Sequence, residues 1–251
     1  SITFTVVSMT PGGEHRERLE HAGVDVCDLG MTRGRPDPRA LLALTRILRD
    51  RRPDVVQSWM YHADLLSLLA FKLARLPKSR LYWGVRCSDM DVTAYPAQLR
   101  WTIKACARAA KFVDGVVANS FAGRDHHLAL GYKPPAFPVV VNGIDVARFA
   151  PSTTARNAVR ADLGIDDKAV VVINVARVDP MKGHDHLLAA LGTVPAAQGL
   201  LVGAGTESLS TTGCLGLGRR DDVPALLAAA DIVVNSSLFG EGFSNAVAEG
   251  M

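Results

Sequence analysis

Cysteine is scarce: Cys27, Cys87, Cys106 and Cys214 are the only four in 251 residues. They stand far apart with no metal-like spacing, which argues against a disulfide framework and for reduced thiols in a cytosolic protein. Long hydrophobic runs are also lacking. Stretches such as residues 63–71 stop far short of the roughly 18 apolar residues a membrane span needs. Residues 2–9 are apolar but have neither a basic flank nor a small-residue cleavage site, which argues against a signal peptide. Aromatic residues amount to 6% and net charge to only +3. A small basic excess with few interleaved aromatics argues against a nucleic-acid partner.

What is present is an ordinary globular balance, 48% apolar and 21% charged, enough for one large core or two moderate ones. Global disorder is excluded on that ground. Charge is unevenly spread. Residues 1–147 hold 20 Lys/Arg against 14 Asp/Glu, whereas residues 148–251 hold 8 against 11. Arg46, Arg49, Arg51 and Arg52 cluster at one helix end. They read either as a solvated face or as a patch for anionic head groups or an acidic substrate.

Short β-branched runs alternate with helical periodicity. Strands are expected over residues 2–8, 24–29, 55–58, 81–85, 115–119 and 138–141. Helices are expected over 14–22, 38–51, 62–75, 97–110 and 121–130. Regular structure ends at Phe149-Ala150-Pro151-Ser152. The pattern then restarts with strands over 169–176, 199–203, 214–217 and 232–235, helices over 183–191 and 222–230, and a last helix from about Ser244. Apolar strands alternating with helices predict an α/β fold of two Rossmann-like, doubly wound parallel domains, divided near residue 147. Such sheets bind ligands beyond the carboxyl ends of their strands.

Three loops in the second domain carry chemistry. Phe239-Gly240-Glu241-Gly242-Phe243-Ser244-Asn245 follows a strand and opens a helix. Its glycines let backbone approach a ligand, and Ser244 or Asn245 can cap a helix whose free N–H groups attract an anion. Glu241 and Glu249 would lie roughly 12 Å apart at helical rise, too far to share a proton and better suited to two parts of one extended ligand. The same residues read equally as a glycine turn with two solvated glutamates. In Val175-Ala176-Arg177-Val178-Asp179-Pro180-Met181-Lys182-Gly183, two cations precede a helix N-terminus, which their charge would repel. An anion between them, such as a diphosphate, resolves that conflict; an exposed turn is the alternative. Gly203-Ala204-Gly205 is a weak signal. In Gly218-Arg219-Arg220-Asp221-Asp222-Val223-Pro224, Asp221 or Asp222 is expected to cap the next helix, with Pro224 in its first turn.

In this order and spacing, Arg177-x4-Lys182-Gly183, Gly203-x-Gly205, Gly218-x2-Asp221-x-Val223-Pro224 and the Glu241-x7-Glu249 pair resemble the retaining glycosyltransferases of family 4. Pro53-Asp54-Val55-Val56, Val117-Ala118-Asn119-Ser120, Gly131-Tyr132 and Val141-Asn142-Gly143-Ile144-Asp145 are similar to that family's first domain and linker. The resemblance implies the two-Rossmann GT-B fold and transfer of a sugar, with retention, from a nucleotide-diphosphate sugar to a glycan, lipid-linked or small acceptor. It implies that Arg177 and Lys182 bind the diphosphate and act in catalysis with Glu241, which holds donor-sugar hydroxyls. Glu249 would hold the ribose, with Gly205, Gly242, Phe243, Ser244 and Asn245 completing the donor site. Stabilisation of the leaving diphosphate would drive the reaction. No metal or other cofactor is expected, and Asp89-x-Asp91 is too weak a signal to suggest one. His62, Arg86 and Asp89 are the acceptor-side candidates, with Cys87 where relatives carry a histidine. The expected setting is cytoplasmic, with peripheral contact with an anionic membrane.

Against the family pattern, both domains look incomplete. Set beside that pattern, the usual first strand and Gly-rich loop are expected to lack a counterpart before Ile2, the sequence opens on Ser1, and it stops at Met251 inside the expected last helix, short of the strands and helices that follow it in the family. That leaves a nucleotide-sugar-binding fragment with impaired turnover as an alternative, and another GT-B protein such as a sugar-nucleotide epimerase as a further one. Little transfer is expected from such a chain by itself.

Overall fold

The computed structural model describes residues 2–13, 15–32, 35–91, 93 and 95–251. Ser1 and Glu14 lie outside them. The chain groups into two compact units, Ser1–Arg86 with Ala97–Val139, and Cys87–Pro96 with Val140–Met251. The sequence pattern places the division near residue 147. It gives no sign that ten residues between a strand and a helix of the first unit group with the second.

In the first unit, β1 (Thr5–Ser8), α1 (Arg16–His21), β2 (Asp25–Asp28), α2 (Pro38–Arg51), β3 (Val55–Trp59), α3 (Tyr61–Ala74), β4 (Arg80–Val85), α4 (Ala97–Ala109), β5 (Gly115–Ala118) and α5 (Phe121–Ala129) alternate. All strand pairs are parallel, β1 with β2 and, separately, β3-β4-β5. Local chemistry sets the helix ends. Asp37 accepts the Arg39 N–H at 2.8 Å with Pro38 opening α2, and Ser120 accepts the Gly123 N–H at 2.9 Å to start α5. Leu44 and Leu48 of α2 pack on Ala70 and Ala74 of α3.

The strand expected over residues 138–141 is overturned. Only Val139 bridges, to Ala118. Carbonyls of Ala136 and Pro138 accept the N–H groups of Val116 and Ala118 at 2.9 and 3.1 Å, but Pro138 has no N–H to continue a ladder.

Under α3 lies a buried carboxyl. Asp64 is fully buried and accepts the Ser58 hydroxyl at 2.6 Å, while its Oδ2 has no hydrogen-bond partner among the described residues. Burial pushes its pKa up to about 7 against the pull of Ser58. The folded value therefore exceeds the unfolded one. Between about pH 4 and pH 7 the unfolded chain ionises while folded Asp64 stays protonated, so stability falls as pH rises and levels off above pH 7. Asp64→Asn is expected to remove about 2–3 kcal/mol of this decline between about pH 5 and pH 7. Urea midpoints across that range are the measurement, and parallel curves for the two proteins would refute it.

In the second unit, α6 (Thr153–Asp162), β6 (Val170–Val175), α7 (His184–Gly192), β7 (Ala197–Val202), β8 (Cys214–Gly216), α8 (Val223–Ala229), β9 (Ile232–Val233) and α9 (Asn245–Gly250) follow. The sheet order is β8-β7-β6-β9, all parallel. Val171, Ile173, Leu200, Val202 and Leu226 form the core. Helix α6 falls in a stretch where no element is expected from the sequence; Ser152 caps it by accepting the Ala155 N–H at 3.2 Å. The expected side-chain cap on α8 is corrected. Asp222 sits at the N-cap position but makes no side-chain cap bond, because Arg220 holds its carboxylate at 2.8 and 2.6 Å.

Candidate functional site

Strand order reverses beside β6. The chain runs β6 to β7 to β8 in one direction, then returns to place β9 on the other side of β6. Helices leaving β6 and β9 therefore diverge, and a crevice opens at the carboxyl ends of these two strands. A pocket of about 210 Å³ lies there, lined by Asn174, Val175 and Ala176 from the end of β6 and by Val234 and Asn235 after β9. Lys182, Glu241 and residues Phe243 to Ala246 complete it.

The loop after β6 is held tightly. Ala176 and Val178 donate to the carbonyls of Val202 and Ala204 at 2.8 and 2.9 Å. Asp179 accepts the Met181 N–H at 3.0 Å, turning the chain over Pro180–Lys182. Gly183 has φ +59°, and a Cβ there would stand 2.3 Å from the Ser236 carbonyl oxygen, so the position is restricted to glycine. The turn aims Lys182 at the pocket. Its Nζ lies 2.5 Å from Glu241 Oε2 and 3.4 Å from Ser237 Oγ, and Ser237 Oγ is itself 2.9 Å from the same carboxylate oxygen. Both side chains of the ion pair are largely buried.

The Glu241 loop is positioned from two sides. Gly240, at φ +76°, donates to the Asp89 carbonyl at 3.2 Å, and the Ser88 hydroxyl donates to the Glu241 carbonyl. Ser244 then caps α9, accepting the Val247 N–H at 3.5 Å. Asn142 Nδ2 donates to Asn245 Oδ1 at 2.6 Å.

The structure thus brings Lys182, Glu241, Phe243, Ser244 and Asn245 to one pocket, while Arg177, Gly205, Gly242 and Glu249 are not among its lining residues. Arg177 is exposed and pairs with Asp179 at 3.0 Å. Burial pushes the Asp179 carboxyl up, but the Met181 N–H, Arg177 and Tyr95 outweigh it and hold it below the usual carboxylate range. Gly205 opens a turn against Val178. Glu249 lies in α9, where burial raises its pKa against the pull of Arg148. Of the acceptor-side candidates, Asp89 is exposed and belongs to the second unit, whereas exposed Arg86 and His62 belong to the first. Among the described residues no group of three His, Cys, Asp or Glu could hold a metal ion.

Asn174, Asn235 and Ser237 were not anticipated from sequence. Their one signal is polarity at the carboxyl end of apolar strands, where a core position has no use for it.

These features define a Rossmann-like α/β protein with a charged pocket at a topological switch point. Residues 2–148 match the family model Glycosyltransferase Family 4, and residues 169–251 match Glycosyl transferases group 1. The chain belongs to glycosyltransferase family 4, of the GT-B fold class. It is 28% identical over 212 residues to the GDP-mannose-dependent monoacylated alpha-(1-6)-phosphatidylinositol monomannoside mannosyltransferase of Corynebacterium glutamicum, covering 78% of this chain and 54% of that one. It is 38% identical over 152 residues to the D-inositol 3-phosphate glycosyltransferase of Segniliparus rotundus, covering 51% of this chain and 33% of that one. The chain thus spans about half, or less, of the length of these relatives. The structure of Anabaena HepE in complex with UDP and glucose superposes with a TM-score of 0.80 at 22% identity, over 98% of this chain and 70% of that one.

Proposed function

We propose that the protein transfers a sugar, with retention, from a nucleotide-diphosphate sugar to a glycan, lipid-linked or small acceptor. The observation that carries this reading is the switch-point pocket with Lys182 and Glu241 paired on its wall. Family membership supports glycosyl transfer. The relative named for GDP-mannose and the HepE complex with UDP support the donor class. Retention rests on the resemblance of the motifs to retaining enzymes, and a lipid-linked acceptor on the phosphatidylinositol relative.

In this reading the diphosphate enters beside Lys182 and the N–H groups of Phe243 to Asn245. Lys182 exchanges the Glu241 carboxylate for phosphate oxygens, and Glu241 is freed to accept hydroxyls of the donor sugar. Arg177 reaches the diphosphate only by leaving Asp179. Gly205 and Gly242 give backbone room around the donor, and Glu249 serves the ribose. The ammonium supplies positive charge where the leaving diphosphate develops negative charge, so the proposed reaction is metal-free. His62, Arg86 and Asp89 serve the acceptor. The proposed setting is the cytoplasmic face of an anionic membrane; among the described residues no helix is long and apolar enough to cross one.

Lys182→Ala removes a charge-assisted contact of roughly 1.5–3 kcal/mol, so affinity for UDP or GDP is expected to fall about ten- to a hundredfold. Calorimetric titration decides this, and unchanged affinity would sink the site assignment.

A further inference from the structure

Helix α4 buries Ile103, Cys106 and Ala107 and turns its opposite side to solvent. At helical spacing, Trp101, Lys104, Arg108 and, in the turn Ala110–Phe112 that continues α4, Lys111 and Phe112 fall on one outward stripe. Trp101 is 70% exposed and Phe112 56%. Each aromatic ring has a cation over it. Lys104 Nζ stands 5.4 Å from the Trp101 ring centre, and Lys111 and Lys72 stand 5.1 and 4.1 Å from that of Phe112. Lys72 extends the surface onto α3, whose outward side also carries exposed Leu69 and Leu73. No Asp or Glu occurs between residues 97 and 113.

Ordinary causes explain only part of this. A cation in the last turn of a helix complements its dipole, which accounts for Arg108. It does not account for Lys104 in mid-helix or for two large aromatics in solvent. A solvated, salt-bridged face carries both signs of charge, and here one sign is missing. The arginine cluster at the end of α2 is a weaker candidate for the same task. Arg51 pairs with Asp25, which cancels one of the cluster's four charges, and α2 carries no aromatic residue to set beside the rest.

We propose that the outward face of α4, with the adjoining end of α3, is the surface that docks on an anionic lipid bilayer. Cations and exposed aromatics sharing one helical face match the two layers of a membrane interface, anionic head groups above and the start of the acyl region below. The inference rests on the membrane contact proposed above and assigns it a place.

The test is co-sedimentation of the full chain with vesicles of phosphatidylcholine alone and of phosphatidylcholine with phosphatidylglycerol. Each cation removed from the surface should weaken partitioning about fivefold at low salt, so Lys104→Gln with Arg108→Gln should lower it roughly twentyfold. Brominated lipid should quench Trp101, and Trp101→Phe should abolish that part of the quenching. Circular dichroism checks that the variants keep their fold. Wild-type binding to anionic vesicles that survives both changes would overturn the α4 face and leave the membrane contact standing. No wild-type binding at all would overturn both. Tight binding to polyuridylate at the same salt, or self-association lost in Trp101→Ala, would reassign the face to RNA or to a second copy and overturn the proposal.

Discussion

Replacing Arg160 by leucine is expected to cost roughly 2–4 kcal/mol of folding stability, because several backbone carbonyls lose a shared buried donor at about 1–3 kcal/mol for each acceptor left unsatisfied, while Asp231 keeps Arg156. Its side chain is only 1% exposed, although α6 lies at the surface of its unit. All three guanidinium nitrogens donate. Nε donates to the Ala229 carbonyl at 3.0 Å, Nη1 to the carbonyls of Asp166, Asp167 and Ala169 at 3.0 to 3.2 Å, and Nη2 to Asp231 Oδ2 at 2.8 Å. Leucine fills some of the volume and satisfies none of the acceptors. Asp231 adds a pH signature. Burial pushes its carboxyl up, but the Val171 N–H, Arg156 and Arg160 hold it below the usual range. A depressed folded value means stability that is present above the unfolded pKa and lost as pH falls through the folded one. Arg160→Leu should therefore lower the urea midpoint most at neutral pH and flatten the acid-side decline. A loss under about 1 kcal/mol, ordinary for a surface change, would count against the network.

Glu241→Gln should separate sugar from diphosphate. Transfer from a nucleotide sugar is expected to fall about a hundredfold or more, as when one preorganised group at a reacting centre is lost. Affinity for UDP alone should hold or rise, because Glu241 competes with phosphate for Lys182 at 2.5 Å. Steady-state rates with UDP-glucose and GDP-mannose, set beside UDP and GDP calorimetry on the same protein, give the comparison. If UDP affinity fell with the rate, Glu241 would be a structural brace for the loop, acting through its side-chain contacts with Lys182 and Ser237.

The βα alternation was legible because fully buried parallel strands leave an unbroken apolar record, as in Val170-Val171-Val172-Ile173. Helix α6 left only a short one, Val159 and Leu163, which pack on the core. The rest of its inward side is secured by Arg156 and Arg160, which any periodicity count scores as solvent-facing. Residues 138–141 misled in the opposite sense, since three valines outweighed the missing N–H of Pro138. In the site, Lys182, Glu241 and Ser244 were legible from glycine-punctuated loops. Ser237 and the segment 87–96 were not, because their roles arise only when distant stretches meet. The Arg177–Asp179 pairing is local, yet the cation's position before a helix drew attention away from its neighbour two residues on.

Grouping residues 87–96 with the second unit gives the chain three crossings between units, at 86/87, 96/97 and 139/140. The units are therefore not separable cassettes. A hybrid joined once near residue 140 would couple one parent's Glu241 loop to the other parent's Ser88 and Asp89, and a lone second half would lack them altogether. Recombination among relatives that respects this wiring needs the ten-residue insert to travel with the carboxy-terminal half. A shuffled library can expose this as linkage between changes at positions 88–89 and 240–241.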